Sequence, residues 1–321
     1  MTSIVTNTSA ANALQTLRSL NSGLHQTQGR VSSGLRVERA ADNAAYWSIA
    51  TTMRSDNKAL SAVSDALGLG AATVDTAYSA MSQAIDVMSE IKARFVAATE
   101  AGVDKTKINE ELDQLKAQLR STAESASFSG QNWLYMNSPE DNVDRSVTSG
   151  FTRDADGSVS LQSLTYSLYS DWDTPDVSFL VDDESGDAGI VTNSAYADSL
   201  GTASDWVLFN GERHQVHREM VLTDATTTDE IQEMLQVTET MTAKMTEVGS
   251  RLGSLSKGIA MQQAFASNLR DSISSGIGRL VDADMETESS KLAALQTQQQ
   301  LATQSLSIAN RAPQNILSLF Q

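Results

Sequence analysis

Tyr46, Met53, Leu60, Leu67, Val74, Met81, Met88 and Phe95 stand seven residues apart along the chain. A companion row three residues on, Ile49, Val63, Ala77, Ala84, Ile91 and Ala98, is interrupted by Asp56 and Gly70. Apolar positions at alternating steps of three and four mark a coiled-coil seam. The spacing predicts one helix from about residue 43 to 100, roughly 85–90 Å long at ~1.5 Å per residue. A helix of that length needs partners along it. A second seam supplies one: Ile231, Thr238, Met245, Leu252, Ile259, Ala266, Ile273 and Leu280. Thr227 and Glu230 have the spacing of a capping box at its start. A shorter helix, about residues 105–127, carries Ile108, Leu112, Leu115 and Leu119. The expected bundle seam is thus Met53, Leu60, Leu67, Val74, Met81, Met88 and Phe95 on one helix, against Met245, Leu252, Ile259 and Ile273 on the other.

The two ends repeat the pattern more thinly. Leu17, Leu24 and Val31 step by seven with Leu14, Leu20 and Leu35 beside them. Leu295, Ala302, Ala309 and Ile316 do the same near the other end, with Leu292, Leu301, Leu306, Leu317 and Leu319 alongside. Ser, Thr, Asn and Gln fill the remainder, so each end helix alone buries too little to stay folded and calls for a partner. Between the helical halves the period changes. Val147, Phe151, Val159, Leu161, Leu164, Tyr166 and Leu168 flank an Asp154-Ala155-Asp156-Gly157 turn, the signature of a hairpin. Residues 170–225 mix short β-like runs with Asp, Gly, Ser and Thr turns and read as a small, β-rich inserted lobe. The fold class expected is mainly α: a long antiparallel coiled-coil bundle formed by both chain ends, with a β-hairpin and an inserted outer domain.

Charge sharpens this division. The 321 residues carry 40 acidic and 23 basic side chains, and residues 138–230 alone hold 19 acidic against 4 basic. An acidic surface argues against nucleic acid or an anionic membrane as partner, and no apolar run is long enough to insert in a bilayer. There is no cysteine, which removes disulfides, thiolate metal sites and cysteine nucleophiles together. His214 and His217 lack a third ligand at suitable spacing. Asp154-x-Asp156-Gly157 lacks the later ligands of a calcium loop, and the Asp171/Asp173/Asp176 and Asp182/Asp183/Glu184 clusters read as solvated loops. No nucleophile elbow, phosphate loop or HExxH occurs. Neither an enzyme nor a cofactor is expected. The first residues have no charged region followed by an apolar run, so on residues alone the protein reads as cytoplasmic.

Two segments change that reading. Asn7-Thr8-Ser9, Leu14-Gln15-Thr16-Leu17, Gly29-Arg30-Val31-Ser32-Ser33-Gly34-Leu35-Arg36-Val37 and Ala40-Ala41-Asp42-Asn43-Ala44-Ala45 resemble the amino-terminal signature of bacterial flagellins. Arg279-Leu280-Val281-Asp282-Ala283-Asp284, Thr287-Glu288 and the run from Ala309 to Leu319 are similar to the carboxy-terminal one. Phe128-Ser129-Gly130-Gln131-Asn132-Trp133-Leu134 is similar to the family's link from helices to hairpin.

The resemblance implies a structural subunit that polymerises into the extracellular helical filament used for swimming. It implies export through the flagellar type III channel without a cleaved signal. Its implied partners are copies of itself, other flagellins, an export chaperone, and cap and hook-junction proteins. The same long-helical pattern leaves a hook–filament junction protein or a non-motility adhesive filament subunit as the alternative. Three layers are implied: 1–40 with 282–321 as the terminal coiled coil, 41–169 with 226–281 as the bundle with hairpin, and 170–225 as a variable acidic outer domain. The implied filament-core contacts are Leu14, Leu17, Leu24, Val31, Leu35, Leu292, Leu295, Leu301, Leu306, Ile316 and Leu319. Tyr46-Trp47 replaces a small Gly-Leu pair, a form similar to flagellins of soil alphaproteobacteria, and Glu38-Arg39 replaces a polar pair. Glu90 stands where animal innate receptors read an arginine in many flagellins.

Overall fold

The computed structural model describes residues 7–136, 144–154, 156–168, 177–183, 188–211 and 217–317, with backbone alone for 312–317. His214, the Asp171/Asp173/Asp176 cluster, Glu184 and Leu319 lie outside the described residues, as does the side chain of Ile316. In chain order the elements are α1 (Thr8–Ser33), α2 (Ala44–Ala98), α3 (Lys105–Ser125), β1 (Ser127–Phe128), β2 (Gln131–Asn132), β3 (Tyr135–Met136), β4 (Asp144–Arg153) and β5 (Val159–Ser167). There follow β6 (Val181–Asp182), α4 (Ala195–Leu200), β7 (Trp206–Val207), β8 (Arg218–Glu219), α5 (Thr228–Val281) and α6 (Met285–Leu317).

The long helices begin where side chains can satisfy the orphan amides of a first turn. Asn7 Oδ1 accepts from Ala10 N–H at 3.0 Å, and Asn43 Oδ1 from Tyr46 N–H at 3.1 Å. Asp104 Oδ1 accepts from Lys107 N–H at 3.2 Å. Thr227 and Glu230 exchange bonds, Thr227 N–H to Glu230 Oε2 at 2.8 Å and Glu230 N–H to Thr227 Oγ1 at 3.3 Å, closing the capping box. The described chain divides into two compact units, 1–58 with 269–321, and 59–268. These divisions fall within α2, between residues 58 and 59, and within α5, between 268 and 269.

In the unit 59–268, α2 and α5 run antiparallel. Ser256 Oγ donates to Asp75 Oδ1 at 2.7 Å, and Lys92 pairs with Glu239. Leu60, Leu67, Val74, Met81, Met88 and Phe95 are buried on α2, with Met245, Leu252 and Ile259 on α5. Thr238, within that row, is buried yet satisfied, its hydroxyl donating to the Met234 carbonyl at 2.7 Å. Ile108, Leu112 and Leu119 of α3 join the same core.

The hairpin β4–β5 shows why a simple alternation misleads. A bulge between Thr148 and Gly150 leaves Val147 opposite Leu164 and Phe151 opposite Leu161. Leu164 and Leu161 are an odd number of residues apart, so the bulge turns the outer half of the ladder over. Val147 and Tyr166 are buried, whereas Val159 and Leu161 are exposed. The inner half seats on α2 at Gly70, where an added Cβ would lie 2.2 Å from Val147 Cγ1. The apparent break in the companion row is therefore the seat of the hairpin.

The segment 177–226 is not a free-standing lobe. Val177, Phe179, Leu180, Val181, Ile190, Val191, Trp206, Leu208, Phe209 and Met220 share the core of the long helices. Among its described residues strand is limited to two-residue ladders, β3 with β6 and β7 with β8. The apolar runs are too short and too closely spaced by turns for a sheet, so each is buried whole. One side of α3 grips this segment through its backbone. Lys105 Nζ donates to Thr226 O at 2.5 Å, and Asn109 Oδ1 accepts from Leu222 N–H at 2.9 Å. Lys116, buried, donates to Met220 O at 2.6 Å and to Glu219 Oε1 at 2.9 Å. Arg120 donates to Asn210 O at 2.6 Å and lies 4.8 Å from the centre of the Phe209 ring.

Gly70→Ala is expected to destabilise the protein by about 1–3 kcal/mol, the usual cost of overpacking. The second change Val147→Ala removes both methyl groups that clash and should recover part of the loss. Urea unfolding of the two single variants and the double variant checks this, and a neutral Gly70→Ala would contradict the seating.

Candidate assembly surfaces

In the unit 1–58 with 269–321, α1 and α6 lie antiparallel in a register fixed at several levels. Asn7 Nδ2 donates to Ala309 O at 2.9 Å and Gln299 Nε2 to Asn21 Oδ1 at 2.6 Å. A Cβ on Gly23 would meet Leu295 Cδ2 at 3.8 Å. Arg30 Nη1 pairs with Glu288 Oε1 at 2.9 Å, and the Glu288 side chain is buried. A pair so placed is costly to break, because either partner would be left as an uncompensated charge.

Beyond α1 and α6 the two connecting segments bind each other. Arg36 N–H and Val37 N–H donate to Val281 O at 2.7 and 3.2 Å, and Ala283 N–H donates to Gly34 O at 2.9 Å. Leu35 and Asp282 form an antiparallel bridge. Gly34, at φ +71, ends α1 in the left-handed region, which glycine enters without steric cost. Val37, Ala50 and Val281 make a small apolar cluster beneath, with Leu35, Ile277 and Leu280 packed on it. Met53 and Ile273 are half-buried in this unit.

Two carboxylates hold the connections. Asp42 accepts from the backbone N–H of Arg39 and of Glu38, which keeps its carboxyl below the ordinary 3.8. Asp284 accepts from the Thr287 hydroxyl at 2.7 Å and from the Thr287 and Glu286 amides, with the same effect.

The seam between α1 and α6 divides the expected contact residues. Leu24 is 8% exposed, and Leu17, Val31, Leu35, Leu292, Leu295 and Leu306 are half-buried. Leu14 is exposed, and Leu301 is 59% exposed. Ile308, not among the expected contacts, is 71% exposed. It stands seven residues after Leu301, so the same spacing rule could have found it. A large aliphatic side chain left in water forgoes about 1.5–3 kcal/mol of burial. Glu90 is exposed on α2, one residue before the buried Ile91. Its basic neighbours are tied within the chain, Lys92 to Glu239 and Arg94 to Glu111.

Among the described residues no group of three or more His, Asp or Glu could hold a metal ion, and no helix is long and apolar enough to cross a membrane. A register-locked helix pair that leaves Leu301 and Ile308 open to water suits a structural subunit that assembles with its own kind. Residues 4–138 match the bacterial flagellin N-terminal helical region, and residues 235–320 the C-terminal helical region. The chain is 53% identical over 327 positions to Flagellin C of Rhizobium meliloti strain 1021, with all of both chains covered. It is 44% identical to Flagellin A of that strain over 394 positions and 42% identical to a flagellin of Brucella melitensis over 322, again with full coverage of both. The chain belongs to the bacterial flagellin family, of the rhizobial type. It is a structural protein of the extracellular flagellar filament and self-polymerises; it is not an enzyme.

The Asp42 and Asp284 caps act with a definite sign. Because folding lowers both pKa values, their stabilisation is complete above the ordinary 3.8 and is lost as pH falls through the lower folded values. The urea midpoint of the parent should therefore fall between about pH 5 and pH 2.5. The double variant Asp42→Asn/Asp284→Asn, which keeps an acceptor but does not titrate, should fall less. Parallel pH profiles would show that these caps carry none of the acid sensitivity.

Proposed function

We propose that the α1/α6 pair forms the innermost layer of the filament and that its exposed apolar side chains, Leu14 on α1 and the Leu301/Ile308 row on α6, are closed by the same helices of neighbouring copies. The carrying observation is that these side chains are exposed on a pair whose register is already locked within the copy. Leu17, Leu24, Val31, Leu35, Leu292, Leu295 and Leu306 then act chiefly within each copy, holding the pair rigid enough to present it; Ile316 and Leu319 are assigned to the same layer.

In this reading 1–40 with 282–321 is the inner layer, 41–169 with 226–281 the bundle around it, and 170–225 the solvent-facing part. Charge supports that order. Residues 59–268 hold 32 acidic and 13 basic side chains, whereas the remainder holds 8 and 10. Like charge is tolerated best where neighbours are furthest apart and salt screens it within ~10 Å at 0.1 M.

Before assembly the exposed row needs cover, which is the role proposed for an export chaperone. Cap and hook-junction proteins would meet the same row at the two ends of the polymer. Co-assembly with other flagellins is supported by the several flagellins of one organism to which this chain is similar.

Removal of 1–36 and 285–321 should leave a folded helical monomer that no longer polymerises. Filaments formed by the truncated chain in electron micrographs would overturn the reading.

Glu90 is further proposed to make the monomer a weak agonist of animal flagellin receptors. A receptor surface that pairs with arginine is acidic, and a carboxylate turns that attraction into repulsion. Glu90→Arg should raise potency in a reporter-cell assay on purified monomer. Full potency of the parent would refute this.

A further inference from the structure

Within the unit 59–268, α2 and α5 enclose a shallow groove lined by Tyr78, Ser82, Ile85, Thr246, Ser250 and Lys257, with Gly249 and Gly253 between them. Three features of it are unexplained by the single chain. The glycines are one: added Cβ atoms would meet Met81 Cγ at 3.6 Å and Tyr78 Cε2 at 3.4 Å, both ordinary contacts. Alanine would fit at both positions and is a far better helix former, so packing inside the chain does not call for glycine. Tyr78 is another, a large ring left exposed over the groove. Lys257 is the third. Among the described residues of 59–268 it is the basic side chain with neither a hydrogen bond nor an ion pair, in a unit dominated by acid.

The same unit carries an unmatched projection. Met261 and Phe265, one turn apart on α5, are 62% and 58% exposed. Gly68 lies level with Gln263, so the exposed Leu69 of α2 is at the height of this pair. Asp65, one turn before Leu69, is exposed and has no partner among the described residues. Met261 and Phe265 each follow a groove glycine by twelve residues. At 3.6 residues per turn that is a rotation of about 120° and a displacement of ~18 Å. Neither feature can fill the other within one copy. A projection and a recess on different faces of one chain make a heterologous contact, the kind that generates open helical polymers.

We infer that the Met261/Phe265 projection of one copy seats in the Tyr78/Gly249/Gly253 groove of the next, with Lys257 at the rim answering the acid beside Leu69. The occupant is a second copy of this chain. The inference rests on the filament reading and adds to it a lateral contact outside the terminal helices. The glycines keep the groove deep enough for a thioether and a ring, and the contact's single cation is held unpaired until a neighbour arrives.

The absence of cysteine makes the test clean. Met261→Cys and Ser250→Cys in one chain lie eleven residues apart on a helix, ~16 Å, too far for a disulfide within the copy. Oxidised filaments of this double variant should give a ladder of covalent oligomers on a non-reducing gel, and oxidised monomers none. Independently, Gly249→Ala/Gly253→Ala should raise the melting temperature of the monomer while raising the critical concentration for polymerisation about tenfold. That opposition in sign excludes a folding defect as the cause. Filaments without a ladder, or an alanine variant that polymerises as readily as the parent, would overturn the inference while leaving the filament reading intact. Failure of the parent chain to polymerise would count against the filament reading itself.

Discussion

Two helices can cover one stripe on each other and no more. In α1 and α6 that stripe is taken by Leu24 and the half-buried leucines around it, and the Arg30–Glu288 pair and the bridged connections fix the register. Leu14, Leu301 and Ile308, off that stripe, are left to water. Hydrophobic burial that a chain cannot complete alone becomes a driving force for association, since the effect scales with apolar area removed from water regardless of whose surface covers it. The subunit is thus built to be finished by its neighbours.

The rest of the molecule is organised around a core of its own. In the unit 59–268 the core is closed, with α2, α3 and α5 sharing it with the short runs of 177–222. Backbone capture by Lys105, Asn109, Lys116 and Arg120 holds a segment that has almost no strand of its own. A loop this acidic would otherwise drift from a helical bundle through self-repulsion. Side chains from one helix, bonded to its backbone carbonyls and to one N–H, hold it without needing its sequence to form a ladder. The segment can therefore vary in sequence so long as its carbonyls and a few apolar residues are kept, consistent with family models that match on either side of residues 139–234.

Much of this was legible in the sequence, for identifiable reasons. Heptad rows are long-range repeats, so Leu60 to Phe95 and Met245 to Ile259 declare a buried seam without knowledge of its partner. Caps such as Thr227/Glu230 are local and are read directly. The hairpin was visible, but its bulge was not, because one inserted residue leaves composition unchanged while turning Val159 and Leu161 outward. Gly70 interrupts the companion row in the sequence, and its reason lies in Val147, far along the chain. The end helices were recognised as weak, yet periodicity alone ranks Leu24 and Leu301 alike. Which of them is covered depends on the register between α1 and α6, a tertiary fact. Ile308 was missed although it continues the Leu301 row.

The most direct test is oxidative footprinting of intact filaments, read residue by residue, with the chain supplying its own references. Leu24 is covered within each copy, and Leu161 on the outer half of the hairpin is open to solvent. If neighbouring copies complete the end-helix pair, labelling at Leu301 and Ile308 falls to the level of Leu24. Labelling that stays at the level of Leu161 would mean that the row remains in water after assembly, and that the polymer is held together elsewhere.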